Sequence, residues 1–188
     1  AAGIRYGRLV AFPTETVYGV AAHRADRRAI AALYAVKERP RGKPLTVHIA
    51  DTAVITKMGC ALTKEARALI RRYWPGPLTV ILKAKNGSKI GFRMPANRIA
   101  YELIRLAGVP VVAPSANLSG RKAPTDARGV LRDLQGRIDL VIDGGRTRVG
   151  IESTVVDLTV SPPRVLREGA IGSHEIERTL RRGRGARP

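Results

Sequence analysis

The amino-acid sequence predicts an α/β fold whose sheet contains strands of mixed direction. Apolar segments of strand length alternate with segments of helical periodicity, and two strand-like segments follow each other near the end of the chain. Alternating strands and helices favour parallel neighbours, whereas consecutive strands favour antiparallel ones. The chain has 188 residues, 44% of them hydrophobic, which is enough for one substantial core.

Each predicted element has a local signal. Apolar runs bounded by turn residues predict the strands RLVAFP, PLTVHIA, LTVILKA, a short one ending in GFRMP, VPVVAPS, IDLVID, STVVDL and PRVLREG. Helical spacing predicts helices at 26–39, 63–74 and 97–108, one after Asp126, and a last one from about Ser173 to Arg182. Asp26 is the expected N-cap of the first of these helices. The final segment RRGRGARP is predicted to be disordered.

The composition restricts the class of protein. A formal net charge of +19 attracts anions, so nucleic acid, nucleotides and phosphates are all candidate ligands, beside a merely solvated basic surface. Aromatic residues make up 4% of the chain, which is little for a surface that stacks single-stranded bases. Cys60 is the single cysteine and the three histidines are scattered, so neither an intramolecular disulfide nor a zinc site is expected. No apolar run is long enough to span a bilayer, and we expect a cytoplasmic protein.

Polar stretches fall at the ends of predicted strands and in loops. Each stretch taken alone could be an ordinary loop, but such positions can converge on one crevice in an open α/β sheet. In chain order the stretches are FPTETVYG, KERPRGKPL, WPGPLT, FRMP, PSANLSG, ESTVVD and VLREG. In that order they resemble the successive motifs of the YrdC family of threonylcarbamoyl-AMP synthases, from about Arg8 to Gly172.

The resemblance implies a fold and an activity. The fold would be a twisted mixed parallel/antiparallel sheet with flanking helices and a concave basic groove, formed by residues 1–172 and followed by a C-terminal helix and basic tail at 173–188. Members of the family are nucleotidyltransferases that condense L-threonine, bicarbonate or CO2, and ATP into threonylcarbamoyl-AMP and pyrophosphate. A downstream transferase then modifies an adenosine of tRNA, and direct tRNA contact is a further expectation.

The ATP site would depend on side-chain cations, because the sequence contains neither a phosphate-binding P-loop nor a G-x-G-x-x-G motif. By resemblance the catalytic residues are Lys37, Arg39 and Lys43. The ATP-binding residues implied in the same way are Arg39, Lys43, Lys89, Ser115, Asn117, Thr125 and Arg167. Relatives often have a small hydroxyl residue at the position of Lys89. The sequence has no dense carboxylate cluster, so Mg²⁺ is expected to arrive with ATP, with no metal ligands from the chain.

The threonine site implied by the resemblance consists of Thr16, His48, Arg93 and Ser153. Arg93 is the expected carboxylate partner because a guanidinium can form two parallel hydrogen bonds with a carboxylate. His48 could orient the ligand or accept a proton. Thr14 and Tyr18 are expected to shape the pocket wall, and Glu15 to bond neighbouring backbone amides rather than hold a cation.

Two differences from the family pattern concern the ends of the chain. Relatives usually have a longer helix before the first strand, so a shortened or missing N-terminal helix is expected. The additional C-terminal domain of longer relatives is not expected within this sequence. Two other functions remain open: an RNA-binding module using the basic groove, and a carbamoyl-handling domain like that of hydrogenase-maturation proteins.

Overall fold

The computed structural model describes the backbone of residues 1–185 and the side chains of residues 1–182. Within this part the chain forms one nine-stranded sheet in the order β7-β1-β2-β6-β3-β5-β4-β8-β9. The strands are β1 Val10–Phe12, β2 Gly19–His23, β3 Thr46–His48, β4 Leu78–Lys83, β5 Lys89–Arg93, β6 Val111–Val112, β7 Leu140–Val141, β8 Thr154–Asp157 and β9 Arg164–Arg167. The helices are α1 Ala2–Arg5, α2 Arg27–Val36, α3 Ala53–Lys57, α4 Lys64–Tyr73, α5 Arg98–Ala107, α6 Ala127–Leu134 and α7 Ser173–Gly185.

The sheet has the predicted mixed direction. The strand pairs β1/β7, β3/β5 and β4/β8 are parallel, while β1/β2, β2/β6, β3/β6, β4/β5 and β8/β9 are antiparallel. The late consecutive strands β8 and β9 form an antiparallel pair, as their adjacency in the sequence indicates. The prediction of a mixed α/β sheet is therefore confirmed.

Side-chain caps explain where α2, α4, α5 and α6 begin. The Asp26 carboxylate accepts hydrogen bonds from the backbone N–H groups of Arg28 and Ala29 at the start of α2, which confirms its predicted role. Thr63, Asn97 and Asp126 cap α4, α5 and α6 in the same way. Each cap satisfies a backbone donor that has no partner inside its helix.

Strand β1 is buried on both faces of the sheet. In β1, Ala11 packs into a large core cluster together with Val20, whereas Val10 and Phe12 pack into a second cluster with residues of α1 and α5. Successive side chains of a strand point to opposite faces, so this division requires packed layers on both sides of the sheet. It explains why the sequence of β1 is apolar throughout rather than alternating.

Several elements differ from the predictions. The sequence analysis missed β2, α1 and α3, and the strands predicted at VPVVAPS and IDLVID have only two residues each, β6 and β7. Helix α7 continues to Gly185, so residues 181–185 of the predicted disordered tail are helical. Residues 186–188 of that tail lie outside the described residues.

Candidate active site

The candidate site lies where the paired strands β3 and β5 end. These parallel strands place His48 directly opposite Arg93, at the end of each strand. The connection between β1 and β2, residues 13–18, contributes Thr14, Glu15 and Thr16, all of which are buried. Residues far apart in the sequence therefore meet at one edge of the sheet.

Arg93 is a buried cation with a specific set of partners. Its Nη2 donates to Glu15 Oε1 at 2.8 Å and to Thr16 Oγ1 at 2.7 Å. Burial lowers the pKa of Arg93, and the positive charge of Arg167 acts in the same direction, whereas the Glu15 carboxylate opposes both. The Arg93 Nε and the Glu15 Oε2 lack protein hydrogen-bond partners. The guanidinium is thus fixed through one amino group.

The contact made by Glu15 corrects the sequence-based expectation. Glu15 was expected to bond neighbouring backbone amides, but it forms a buried ion pair with Arg93. A carboxylate with 3% side-chain exposure needs a compensating charge, and Arg93 supplies one from 78 residues away. Local sequence contains no signal for that partner.

His48 is a neutral imidazole in this site. It is buried, lies edge-on to Phe12 with ring centroids 6.4 Å apart, and places Nδ1 at 3.4 Å from the Thr46 carbonyl oxygen. Burial and then the charge of Arg93 lower the pKa of His48 to about 3. A ring with so low a pKa is a weak base, so of the two roles that the sequence left open, orienting a ligand is favoured over accepting a proton.

Ser153, predicted for the threonine site, contacts Arg167, which was predicted for the ATP site. The Ser153 hydroxyl lies 3.0 Å from Thr79 Oγ1 and accepts from Arg167 Nη2 at 3.2 Å. Arg167 also donates to the Ser153 carbonyl oxygen from Nε and Nη2, and its Nη1 lies 3.1 Å from Glu152 Oε1. Thr79 and Glu152 were not among the predicted site residues, although both lie within quoted motifs, WPGPLT and ESTVVD.

These side chains line a pocket with a volume of about 120 Å³. Its wall contains Thr14, Tyr18, Arg39, Thr46, His48, Thr79, Arg93, Ser115, Glu152, Ser153 and Arg167. A second pocket of about 400 Å³ adjoins it and shares Arg39, Pro44, Thr46, Thr79 and Arg167. The two pockets together are called the substrate groove below. Thr14 and Tyr18 therefore lie in the wall as predicted, while Thr16 lies behind it and holds Arg93.

The segment 37–44 contributes cations to the substrate groove. Arg39 lines both pockets, donates from Nη2 to the Pro44 carbonyl oxygen at 2.8 Å, and has a buried Nε without a protein partner. Lys43 is exposed and lines the second pocket. Burial lowers the pKa of Arg39, and the negative potential of nearby groups, including Glu152, opposes that shift.

Lys37 does not line the substrate groove. Its side chain is 1% exposed, and Nζ donates to the carbonyl oxygens of Ser115 and Asn117, the latter at 2.6 Å. Burial, together with the charge of Arg39, lowers the pKa of Lys37 to about 8. This predicted catalytic residue therefore lies beneath the PSANLSG segment and supports its backbone.

Three predicted ATP-binding residues have different surroundings. Asn117 is buried, donates to the carbonyl oxygens of Leu118 and Arg121, and leaves Oδ1 without a protein partner. Lys89 lines the second pocket and pairs with Asp157 at 3.0 Å. Thr125 lines neither pocket of the substrate groove and lies in a separate depression at the start of α6. Among the predicted ATP-binding residues, five line the substrate groove: Arg39, Lys43, Lys89, Ser115 and Arg167. Thr125 does not line it.

In residues 1–182, no group of three or more His, Cys, Asp or Glu side chains could hold a metal ion. None of the described helices is both long and apolar enough to cross a bilayer.

Residues 2–169 match the Sua5/YciO/YrdC family model, which is described as "Telomere recombination". The chain belongs to this family. The resemblance inferred from the seven motifs is therefore confirmed.

Two relatives in the family are named threonylcarbamoyl-AMP synthase. The one from Pyrococcus abyssi is 45% identical over 94% of this chain and 55% of its own length. The one from Bacillus subtilis is 42% identical over 96% of this chain and 55% of its own length. The chain thus spans about half the length of these relatives.

A solved family structure has the same fold. The crystal structure of P. abyssi Sua5 complexed with L-threonine superimposes with a TM-score of 0.90 at 44% identity, covering 95% of this chain and 55% of that one. The predicted α/β sheet with flanking helices is thus the fold of this Sua5/YciO/YrdC protein.

Proposed function

We propose that this chain is an L-threonylcarbamoyladenylate synthase, a nucleotidyltransferase that converts ATP, L-threonine and bicarbonate or CO2 into threonylcarbamoyl-AMP and pyrophosphate. The observation that carries the proposal is the buried Arg93, held by Glu15 and Thr16 beside the cationic substrate groove. Relatives at 42–45% identity with the synthase name support it over the carbamoyl-handling alternative. The L-threonine complex of P. abyssi Sua5 supports the amino acid as substrate.

Arg93 is the proposed partner of the threonine carboxylate. Its Nη2 is occupied by Glu15 and Thr16, which leaves the rest of the guanidinium for a ligand in the pocket. Ser153 and Thr79 offer hydroxyl groups 3.0 Å apart on the same wall, and neutral His48 lies opposite Arg93 in the sheet. A volume of about 120 Å³ suits a small amino acid.

The remaining cations are the proposed phosphate ligands. Arg39 and Arg167 lie where the two pockets adjoin, and Lys43 and Lys89 line the larger one. Guanidinium and ammonium groups form short, charge-assisted hydrogen bonds with phosphate oxygens. ATP enters as its Mg²⁺ complex, so the metal is part of the substrate and is held chiefly by phosphate oxygens and water.

The proposed chemistry needs no covalent enzyme intermediate. The threonine amine attacks the carbon of CO2, an N–C bond forms as one C–O π bond opens, and the nitrogen loses its proton to water to give a carbamate. A carbamate oxygen then attacks the α-phosphorus of ATP, the bond to the bridging oxygen breaks, and pyrophosphate leaves. The chain contributes positioning and neutralisation of charge, which can provide most of the catalysis in phosphoryl-type transfers.

The decisive experiment measures pyrophosphate release with each substrate omitted in turn. We expect release to require both L-threonine and bicarbonate, and the adenylate to accumulate with it. Equal release in the absence of threonine would overturn the assignment.

A binding measurement tests the placement of threonine. Arg93→Lys keeps the charge but loses the rigid guanidinium that Glu15 and Thr16 hold in place, so calorimetric titration should show much weaker L-threonine binding and little change with an ATP analogue. Ser153→Ala should have a milder effect, because a neutral hydrogen bond contributes about 0.5–1.5 kcal/mol. A loss confined to the nucleotide titration would mean that both residues belong to the ATP site.

A further inference from the structure

Gly91 leaves a gap between side chains on the sheet face that forms the substrate groove. In β5, Ile90 and Phe92 pack into the large core cluster, so Lys89, Gly91 and Arg93 point to the opposite face. Lys89 and Gly91 line the second pocket of the substrate groove, and Arg93 lines the first. Between two cations, β5 therefore presents bare backbone to the groove.

The backbone conformation of Gly91 does not require glycine. Gly91 lies within β5 and is not among the glycines with positive φ. A Cβ atom at this position would lie 3.6 Å from both Thr46 Oγ1 and Thr79 Cγ2, and 3.8 Å from Ile81 Cγ1, which are ordinary van der Waals distances. A glycine inside a strand weakens the strand and often marks the close approach of a ligand to the backbone. Since the fold has room for a side chain at position 91, the approach of a ligand is the better explanation for this glycine.

The neighbours of Gly91 lie where the two pockets adjoin. Thr46 is opposite Gly91 in β3, and Ile81 is opposite Gly91 in β4. Thr46 and Thr79 line both pockets, and they are the side chains nearest to a Cβ atom at position 91. A side chain at this position would therefore project into the junction between the proposed threonine pocket and the proposed nucleotide pocket.

The product of the proposed reaction has to cross that junction. Threonylcarbamoyl-AMP is a single molecule, whose threonyl part would occupy the pocket of about 120 Å³ and whose AMP part would occupy the pocket of about 400 Å³. The bond between a carbamate oxygen and the α-phosphorus therefore forms where the pockets adjoin. L-threonine and ATP by themselves can each bind without occupying both pockets.

We propose that the carbamate oxygen and the α-phosphate of ATP meet over the backbone of Gly91, and that the absence of a side chain at this position allows them to meet. The inference rests on the proposed function. Its reason is steric, because reacting atoms must approach to about 3–3.5 Å before a bond can form. The branched side chain of a valine at position 91 would occupy that space. Gly91 thus governs the joined state of the two substrates rather than the binding of either substrate alone.

Gly91→Val tests the inference through the binding of three probes. The probes are L-threonine, the α,β-methylene analogue of ATP, and a stable sulfamoyl analogue of the adenylate that joins the threonylcarbamoyl and adenosine parts. Calorimetric titration should show near wild-type affinities for the first two probes. The affinity for the joined analogue should fall about ten- to a hundredfold, because the added side chain overfills the junction. Pyrophosphate release should show the same division, with kcat about a hundredfold lower and little change in either KM.

Two further variants control for folding and for the addition of a side chain. Gly91→Ala adds only the Cβ atom, at distances that the fold accepts, and should cause a smaller loss of the same kind. Lys83→Val places a valine opposite Lys89 on the same face of the sheet, at an exposed position outside both pockets. It should leave all three affinities and kcat unchanged. Urea denaturation should show that Gly91→Ala and Gly91→Val are at least as stable as the wild-type chain, because each replaces a glycine inside a strand.

Several outcomes would overturn the inference. A wild-type kcat and wild-type affinity for the joined analogue in Gly91→Val would show that the substrates meet elsewhere. If one separate substrate lost as much affinity as the joined analogue, Gly91 would belong to the pocket of that substrate alone. An unfolded Gly91→Val chain together with wild-type kinetics in Gly91→Ala would show that the glycine is needed only for packing, and equal losses in Lys83→Val would show a nonspecific effect. These outcomes leave the proposed function intact, which fails only if the wild-type chain releases pyrophosphate without threonine.

Discussion

At the scale of single residues, the site depends on charges that are buried and paired. The side chains of Arg93 and Glu15 are 6% and 3% exposed and form an ion pair at 2.8 Å. Among the described residues, neither side chain forms another ion pair. Removing one partner of such a pair leaves the other charge without compensation, which is far more costly than breaking an exposed pair. The ion pair thus couples the stability of the fold to the orientation of the proposed threonine ligand.

Glu15→Ala should therefore be strongly destabilising. We expect the free energy of unfolding to fall by about 3–5 kcal/mol, because Arg93 keeps its charge in a dry environment. The matched control is Glu102→Ala, which removes the exposed pair of Glu102 with Arg105 and should cost about 0–1 kcal/mol. Urea denaturation measures both changes, and similar values for the two variants would show that the Glu15–Arg93 pair is effectively solvated.

His48 predicts a pH dependence of stability. Its pKa is about 3 in the folded chain, against about 6.5 in an unfolded one. The unfolded state therefore takes up a proton first as the pH falls, so this stability is complete above about pH 6.5 and is lost progressively toward about pH 3. Between pH 7 and pH 5 the loss from this residue should be about 2 kcal/mol.

Comparison of variants isolates the contribution of His48. Denaturation at pH 7 and pH 5 should show a smaller pH-dependent loss in His48→Gln than in the wild-type chain. His174→Gln removes an exposed histidine and should behave like the wild type. An unchanged loss in His48→Gln would mean that His48 is protonated in the folded protein at pH 5.

At the scale of elements, the segment after α2 contains two lysines with different environments. Lys37 is the C-cap residue of α2 and bonds two backbone carbonyls of the segment 115–117, whereas Lys43 is exposed in the second pocket. The backbone amide of Ser119 also donates to the Lys37 carbonyl oxygen. Lys37 thus links α2 to the PSANLSG segment, and Lys43 is free to meet a ligand.

Lys37→Met should therefore lower the stability of the fold, whereas Lys43→Met should lower the affinity for an ATP analogue. Lys37→Met leaves two carbonyl groups without a donor and should destabilise the fold by about 2 kcal/mol or more, with faster amide hydrogen exchange at 115–119. Lys43→Met should change stability by less than about 0.5 kcal/mol. It should instead weaken binding of an ATP analogue about tenfold or more, because a charge-assisted contact is lost.

The measurements are denaturation, hydrogen exchange and calorimetric titration of both variants. If Lys37→Met retained wild-type stability and lost nucleotide affinity, Lys37 would contact the nucleotide directly. If Lys43→Met bound the analogue like the wild type, Lys43 would be an ordinary solvated side chain.

At the scale of the whole molecule, the formal net charge of +19 is the dominant electrostatic property. The described ion pairs involve few of the 34 Lys and Arg residues. The excess cations repel one another in the compact state, and this repulsion opposes folding. The substrate groove is a region where a bound polyanion would relieve it.

Added salt should stabilise the free protein. The Debye length falls from about 10 Å at 0.1 M to about 3 Å at 1 M salt, which screens repulsion between surface cations. We expect the midpoint of thermal unfolding to rise by several degrees between these KCl concentrations. A midpoint that stays constant or falls would show that attractive pairs outweigh the repulsion between cations.

The sequence by itself determined the family, the order of most elements and the residue types of the site. Helix periodicity, caps such as Asp26 and apolar strand runs are local signals, so they can be recognised without knowing what lies nearby. Seven motifs in one order were enough to identify the family. The same motifs also indicated two groups of candidate site residues. One group is Arg39, Lys43 and Arg167, and the other is His48, Arg93 and Ser153.

The tertiary structure alone decided which of these side chains meet. The segment GVAAH has weak strand propensity, and β2 exists because its backbone pairs with β1 on one side and β6 on the other. Glu15 and Lys37 find their partners 78 or more residues away, in Arg93 and in the carbonyl groups of Ser115 and Asn117. Buried charges must be compensated by whatever group the fold brings within hydrogen-bonding distance, and local sequence contains no record of that group.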